Sequence, residues 1–432
     1  MNKYSEFIFE NYSFDANKNE VELHYSIDGE LEFTETIRWE VSMKNYDEHI
    51  LDEALFGLWI MCGISYFKTY LPKKITIKKG GLTKSQAKFF NKIYTHGLAQ
   101  FFYTNQLEWE EAINFETTKE EVVETSAAGG EGCISALGGG KDSIVAAELL
   151  KRLGMKPECW SVNQAERFSN LSKKIGTKTH KVTREIDPLL AKLNSEGAYN
   201  GHVPITAINS FIGVVLAILL NKKSIVWAIE GTAEEPNTNW KGLDVNHQYS
   251  KTLEFEKDMQ DYIFQNIAKD IEHYSILRPL TELRIAEVFC NNYLNDYQGL
   301  FSSCNANFTI GNDSELRWCG KCPKCAFVFI IFSPFLKKTD LLNLFGGIDI
   351  FADEEMSPII KELLGITGHK PLECVGEIAE TRLAVQMAKQ SGQYPELSQY
   401  NFPEVKYDYR EWLNNSVPKA IDTELKETLE IL

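Results

Sequence analysis

The sequence predicts an α/β protein: a parallel sheet covered by helices, preceded by a smaller α+β module and followed by a mainly helical C-terminal region. Three observations carry that prediction. From Cys133 onward, short apolar β-prone runs alternate with helical periodicity. Before Glu40, apolar and polar side chains alternate between turn signals. Between the two lies an acidic stretch ending in Ser-Ala-Ala-Gly-Gly-Glu, a composition suited to a linker. The expected divisions are residues 1–115 for the first module, 116–131 for the linker, 132–345 for the parallel-sheet core and 346–432 for the helical region.

In the first module, Phe7-Ile8-Phe9, Val21 to Tyr25 and Leu31 to Trp39 read as strands of an antiparallel meander, with turns at Asp15-Ala16-Asn17 and Asp28-Gly29. The period becomes helical from Asp47 to Leu71. A short strand near Ile75 to Ile77 and a helix from Ser85 to Tyr103 follow. No catalytic motif falls here, and a substrate or dimer platform and a plain packing domain fit the pattern equally.

The core opens with an apolar run, Cys133 to Leu137, which enters Gly138, Gly139 and Gly140, then Lys141, Asp142 and Ser143, then an apolar-periodic helix from Ile144 to Leu153. Further strands are expected at Glu158 to Val162, Lys178 to Val182 and Ser224 to Ile229, with helices around Leu171 and from Thr206 to Leu220. Ligands of such sheets bind at the carboxyl ends of the strands, which is where Gly138 to Ser143, Asn163 and Glu230 fall.

Three consecutive glycines let the main chain approach a ligand closely, and the following helix aims free N–H groups and its positive dipole end at whatever occupies the loop. Phosphate is the natural guest. A Walker A loop needs Ser or Thr directly after Gly-Lys, and Asp142 intervenes; a dinucleotide fingerprint needs G-x-G-x-x-G, which Lys-Asp-Ser interrupts. Gly138 to Ser143 instead resembles the pyrophosphatase loop, Ser-Gly-Gly-x-Asp-Ser, of the ATP-adenylating PP-loop enzymes, whose fold is adenine nucleotide alpha hydrolase-like. Gly138 stands where that motif has its first serine. Lys141 suits phosphate, Asp142 in an anion-binding loop calls for a magnesium ion between them, and Ser143 suits either phosphate or a helix cap.

The chain of 432 residues carries a net charge of −16, which argues against broad contact with nucleic acid or anionic membrane. Its first residues lack a basic region followed by an apolar core. The longest apolar helix candidate, Ile205 to Leu220, contains Asn209 and Ser210 and is short for a membrane span. The expectation is a cytoplasmic protein without membrane or nucleic-acid partners. Nothing in the sequence sets its oligomeric state.

Nine cysteines in a chain of this length suggest metal chemistry and free thiols rather than a disulfide framework. Cys319, Cys322 and Cys325 form C-x-x-C-x-x-C, with Cys304 upstream as a fourth thiolate. Tetrahedral structural Zn2+ is the default occupant, and an iron–sulfur cluster is the alternative.

Polar clusters between apolar runs mark loops that could line a site. They supply His202, Asn209, Asn246 and Arg278 as candidate substrate-binding residues, whereas Glu234 and Glu235 read as solvated loop charges. The segment His369 to Glu377 suits either closure over a site or a join between domains. Cys374, His247, Glu230 and Lys251 are titratable side chains within or beside these stretches.

The loop GGGKDS, the runs NGHVPITAINS, VNHQYSK and FSSCNANF, the knuckle RWCGKCPKCAFVF and the stretch HKPLECVGE together resemble the MurL-type UDP-N-acetyl-α-D-muramoyl-L-alanyl-L-glutamate epimerases of bacterial peptidoglycan synthesis. The resemblance spans most of the chain. It implies inversion of the terminal L-Glu of UDP-MurNAc-L-Ala-L-Glu, dependent on ATP and Mg2+, with AMP and pyrophosphate released, and such an inversion needs a base, for which Cys374, His247, Glu230 and Lys251 are the candidates. Ile229 to Asn237, IEGTAEEPN, departs from the family pattern. Two other readings accommodate the loop and the knuckle: a PP-loop enzyme that adenylates a carboxylate for amide or nitrile formation, and a non-catalytic nucleotide- or zinc-binding interaction protein.

Overall fold

The computed structural model describes residues 4–121, 125–308 and 316–432, so part of the expected linker and the residues just before the cysteine knuckle lie outside the described residues. The alternating N-terminal residues form β1 (Glu6–Asp15), β2 (Glu20–Ile27) and β3 (Leu31–Glu40), and the helical stretch after them forms α1 (Glu48–Cys62) and α2 (Ile64–Phe67). Then come β4 (Lys74–Ile77), α3 (Lys84–Gly97) and α4 (Ala99–Thr104). The expected single helix from Ser85 to Tyr103 is thus two, divided at Leu98, whose backbone leaves helical geometry.

The core runs β5 (Cys133–Ala136), α5 (Lys141–Arg152), β6 (Glu158–Val162), α6 (Ser169–Ile175), β7 (Thr179–Glu185), α7 (Pro188–Ser195), α8 (Ile205–Leu219) and β8 (Ser224–Trp227). A small hairpin, β9 (Thr238–Trp240) and β10 (Leu243–Val245), precedes α9 (Leu253–Asn266) and β11 (Glu272–Ser275). After them lie α10 (Glu282–Asn292), α11 (Leu294–Tyr297), α12 (Pro323–Phe332), α13 (Lys338–Leu344), α14 (Ser357–Leu363), α15 (Ile378–Gln390) and α16 (Lys419–Ile431). The C-terminal region is less helical than its sequence suggests, because residues 401–418 carry no helix or strand.

Nine strands make one sheet in the order β11-β8-β5-β6-β7-β3-β2-β1-β4. From β11 to β7 every pairing is parallel, as the βα alternation requires. Side chains on successive residues face opposite layers: Ile134, Trp160, Ile225 and Trp227 enter the core shared with α1 and α8, and Cys133, Cys159 and Val226 enter the core shared with α5, α10 and α12. The helical stretch Glu48–Phe67 is the one, among the described residues, long and apolar enough to cross a membrane, and 89% of its apolar window is buried. It therefore displaces Ile205 to Leu220 as the longest apolar helical candidate. Its closeness to α8 depends on Gly57, where a Cβ would lie 2.5 Å from the Phe211 ring.

The N-terminal strands join this sheet through antiparallel pairing of β3 with β7, with Ile37 opposite Arg184. Arg184 Nε donates to Glu35 Oε1 at 2.7 Å, and both side chains are almost wholly buried. Asp187 extends the joint by accepting from Thr34 N at 2.8 Å. Removing one partner of a buried ion pair leaves the other charge uncompensated. Glu35→Ala is therefore expected to destabilise the protein by ~3–5 kcal/mol in a urea titration; a loss under about 1 kcal/mol, the range of exposed pairs, would show that the joint does not depend on this pair.

Candidate active site

Strand order locates the crevice before any side chain is considered. From β5 the chain moves outward through β6 and β7, then crosses back to place β8 and β11 on the other side of β5. Such a reversal opens a cleft at the carboxyl ends of the two central strands, β5 and β8. The segments that follow β5, β8 and β11 meet there.

Gly139 in the β5–α5 loop has φ +75°, and a Cβ on it would lie 2.2 Å from the Phe168 ring, so only glycine fits. Ser302 N donates to the Gly139 carbonyl at 3.0 Å, backing the loop from one side. Gly138 has no neighbour within 4 Å of where a Cβ would sit, which leaves its side of the loop open. Gly140 caps α5 without a side-chain bond to the first amides. Ser143 Oγ donates to the Gly140 carbonyl at 2.9 Å, a local turn contact. Asn163, with φ +58°, binds both backbone groups of Arg184 through its amide at 2.8 Å and so ties β6 to β7.

Lys141, only 2% exposed, places its ammonium between Asp142 and Glu282, 3.0 Å from Glu282 Oε1. Burial opposes its charge, but Asp142 and Glu282 outweigh burial and keep it protonated. Burial also opposes the Asp142 carboxylate, yet Lys141 and Lys324 hold it below the usual carboxylate range. Glu282 goes the other way, pushed up to about 7 by burial and by Asp142. Its second oxygen, Oε2, is buried with no hydrogen-bond partner among the described residues. Carboxylates of Asp142 and Glu282, one with an unused buried oxygen, form a donor set that suits a hard divalent cation such as Mg2+. Buried Glu230 lies within electrostatic reach of Glu282 and Lys251.

A second group forms where residues 230–251 meet 369–377. Asn237 donates to the Pro371 carbonyl at 2.6 Å and accepts from His247 N at 2.9 Å, and Gln248 Nε2 donates to the Val375 carbonyl at 3.0 Å. These bonds fix Cys374 beside Lys251, whose Nζ donates to the sulfur at 3.1 Å. Burial opposes the Lys251 charge, but Cys374, Glu230 and Asp142 keep the ammonium protonated, so it is poorly suited to act as a base. The rings of His202 and His247 stand 4.5 Å apart. Burial, then the neighbouring positive groups, lowers His202 to about 3 and His247 to about 4, so both are neutral imidazoles.

Other predicted residues brace this arrangement. Arg278, 1% exposed, donates to Glu256 Oε2 at 2.7 Å and to the carbonyls of Glu230 and Lys251, both at 2.9 Å. Asn246 donates to the Ala233 carbonyl at 3.1 Å and accepts from Gln248 N at 2.7 Å. Asn209, in the second turn of α8, has its Oδ1 buried without a hydrogen-bond partner among the described residues. Glu234 and Glu235, expected as solvated charges, are anchors instead. Glu234 accepts from Leu253 N at 2.6 Å, and Glu235 accepts from Lys370 at 3.2 Å and from Ile378 N at 3.1 Å, at the start of α15.

The four predicted cysteines converge. Their sulfurs all lie within 4.8 Å of one another, with Cys319 and Cys325 at 3.8 Å. Zn–S bonds of about 2.3 Å in a tetrahedron place sulfurs about 3.8 Å apart, so the cluster could hold a metal ion such as zinc. Lys321 N and Cys325 N point at the sulfurs of Cys319 and Cys322, each at 3.4 Å, which disperses thiolate charge.

Comparison with known proteins adds a second line of observation. The model of the MurL N-terminal domain matches residues 1–276, and that of the MurL C-terminal domain matches residues 300–401. The chain belongs to the MurL family. Three proteins similar to it are each named UDP-N-acetyl-alpha-D-muramoyl-L-alanyl-L-glutamate epimerase. The Micromonospora protein is 36% identical over 90% of this chain and 88% of its own length. The Salinispora tropica protein is 37% identical over 89% and 85%, and the Xanthomonas oryzae pv. oryzae protein 34% over 91% and 87%.

Within this MurL chain, Glu282, Lys324 and Gln100 escape sequence reasoning. The strand-end rule that marks Asn163 and Glu230 also marks the region of Glu282, which follows β11, but Glu272-His-Tyr-Ser275 carries no alternation that announces a strand. Lys324 hides inside the knuckle motif, and Gln100 sits in the module that shows no motif. The knuckle leads directly into α12, whose residues from Cys325 to Phe332 are all buried. Cys322→Ser is expected to reduce zinc in the purified protein from about one ion per chain to a small fraction, measured by elemental analysis, and to lower soluble yield. Full zinc content with an unchanged melting temperature would remove Cys322 from the site.

Proposed function

We propose that this protein inverts the α-carbon of the terminal L-Glu in UDP-MurNAc-L-Ala-L-Glu, consuming ATP with Mg2+ and releasing AMP and pyrophosphate. The observation that carries this reading is the shared name of relatives that match about nine-tenths of the chain. Support for the nucleotide part comes from the glycine loop, which opens onto the cleft at the strand reversal.

The chemistry follows from charge. A free carboxylate resists loss of its α-proton, because the resulting carbanion would add a second negative charge beside the first. Attack of the carboxylate on the α-phosphorus of ATP expels pyrophosphate and yields an acyl adenylate, whose carbonyl accepts the electron pair when the α-proton leaves. Reprotonation on the opposite face inverts the centre, and water cleaves the adenylate.

In this reading Gly138, Gly139, Gly140 and Ser143 bind the nucleotide phosphates through the open side of the loop. Lys141 stabilises charge on the departing pyrophosphate. Asp142 and Glu282 hold Mg2+, which supplies charge neutralisation at the phosphates. Lys251, whose neighbours favour its charged form against burial, suits the substrate carboxylate or the charge that develops from it. The four cysteines hold structural zinc. Residues 1–115 extend the sheet of a PP-loop domain of residues 132–345 through the pairing of β3 with β7, and the protein works in the cytoplasm on a soluble precursor of the cell wall.

Incubation with ATP, Mg2+ and UDP-MurNAc-L-Ala-L-Glu tests the proposal. Substrate-dependent pyrophosphate and D-Glu after acid hydrolysis are expected; pyrophosphate without D-Glu would retain adenylation and remove the epimerase assignment. Asp142→Ala is expected to slow pyrophosphate release about 100-fold or more and, because it takes one of two carboxylates from the buried Lys141 ammonium, to lower the melting temperature as well, so release is measured below the melting transition of the variant. Undiminished release would take Asp142 out of the mechanism.

A further inference from the structure

Inversion at a carbon needs one group to take a proton from one face and another to return a proton to the opposite face. The cleft holds two half-buried groups of the right kind, carried on different segments and braced separately. Gln100 Oε1 lies 2.6 Å from His247 Nδ1. An amide oxygen only accepts, so Nδ1 carries the imidazole hydrogen and the lone pair is left on Nε2. Nε2 has no hydrogen-bond partner among the described residues. The His202 ring covers one side of this imidazole. Across the contact between residues 230–251 and 369–377, the Cys374 sulfur receives a hydrogen bond from the Lys251 ammonium at 3.1 Å. Glu373, next to Cys374, is within electrostatic reach of His247, which places the two groups in one cleft.

Resting on the epimerase reading above, we propose that His247 Nε2 removes the α-proton of the activated L-Glu and that the Cys374 thiol delivers a proton to the opposite face, with Gln100 and Lys251 as their positioning residues. In the first half, the Cα–H bond breaks, the proton joins Nε2 and the electron pair moves into the acyl carbonyl of the adenylate as an enolate. In the second half, the S–H bond breaks, a new Cα–H bond forms on the other face and the carbonyl is restored. The thiolate left behind lies against the Lys251 ammonium, and the imidazolium remains bound to Gln100. After water has released the product, solvent takes the proton from the imidazolium and returns one to the thiolate. Charges and protons then stand as they began.

Proton exchange and inversion come apart under this assignment. The substrate is prepared with deuterium on the α-carbon of L-Glu, and loss of deuterium to water is followed beside pyrophosphate release and D-Glu formation. Cys374→Ser is expected to keep losing deuterium, because His247 removes and returns protons on one face, while D-Glu formation falls about 100-fold or more. His247→Gln is expected to reduce deuterium loss and D-Glu formation together by about 100-fold or more. Gln100→Leu, which releases the tautomer, is expected to slow deuterium loss about tenfold with KM little changed, and Gln100→Glu to restore part of it. Substrate-dependent pyrophosphate release in each variant reports that the protein is folded and adenylating. Inversion by Cys374→Ser at the parent rate, or continued deuterium loss by His247→Gln, would overturn the assignment. Failure of the epimerase reading itself has a different signature, because the parent protein would then form no D-Glu.

Discussion

Burying the Lys141 ammonium is the constraint on which the arrangement of the cleft depends. A cation this far from solvent persists only where opposite charge is close. Asp142 supplies one partner from the same helix turn, and Glu282 supplies the other from the first turn of α10. To bring Glu282 there, α10 must pack on α5, and α12 packs on α10 in turn. The helix that follows the cysteine knuckle is thereby tied through α10 to the helix that follows the glycine loop, and Lys324 of the knuckle helps hold the Asp142 carboxylate ionised.

The same packing continues outward. Against both α12 and α10 lies α15, whose first amide is received by Glu235, and the segment leading into α15 carries Cys374. Bonds from Asn237 and Gln248 close that segment over the cleft. The N-terminal strands contribute from the other direction. Their antiparallel joint at β3 and β7 anchors the layer that holds α1, α3 and α4, and α4 sends Gln100 to His247. A region without any chemical motif thus orients one of the groups that proton transfer requires in the proposed reaction.

Legibility in the sequence followed the range of the interactions involved. Strands β1 to β3 and β5 to β8 were readable because alternation or an apolar run next to a turn is a local signal. The hairpin of β9 and β10 was not, since three-residue strands rich in Asn and Asp carry no period. Nor was β11, where His273 and Ser275 look like loop residues. They are buried because partners arrive from elsewhere: the Trp227 indole donates to His273 Nε2 at 2.8 Å, and Ile229 N donates to Ser275 Oγ at 2.8 Å. The division within Ser85 to Tyr103 was hidden for a similar reason, as helical periodicity passes through Leu98 while the backbone does not.

By itself, the sequence determined the glycine loop with Lys141 and Asp142, the four-cysteine knuckle, the βα core and the family, since each depends on residue types at short fixed spacing or on many positions taken together. The tertiary structure alone decided which charges are shared and which groups face each other: Glu282 with Lys141, Lys251 with Cys374, Gln100 with His247, and Arg278 as a buried brace. The physical reason is separation along the chain. Each of these pairings joins residues from different elements, and the energy that selects them exists only after the sheet and its two helical layers have removed water from between them.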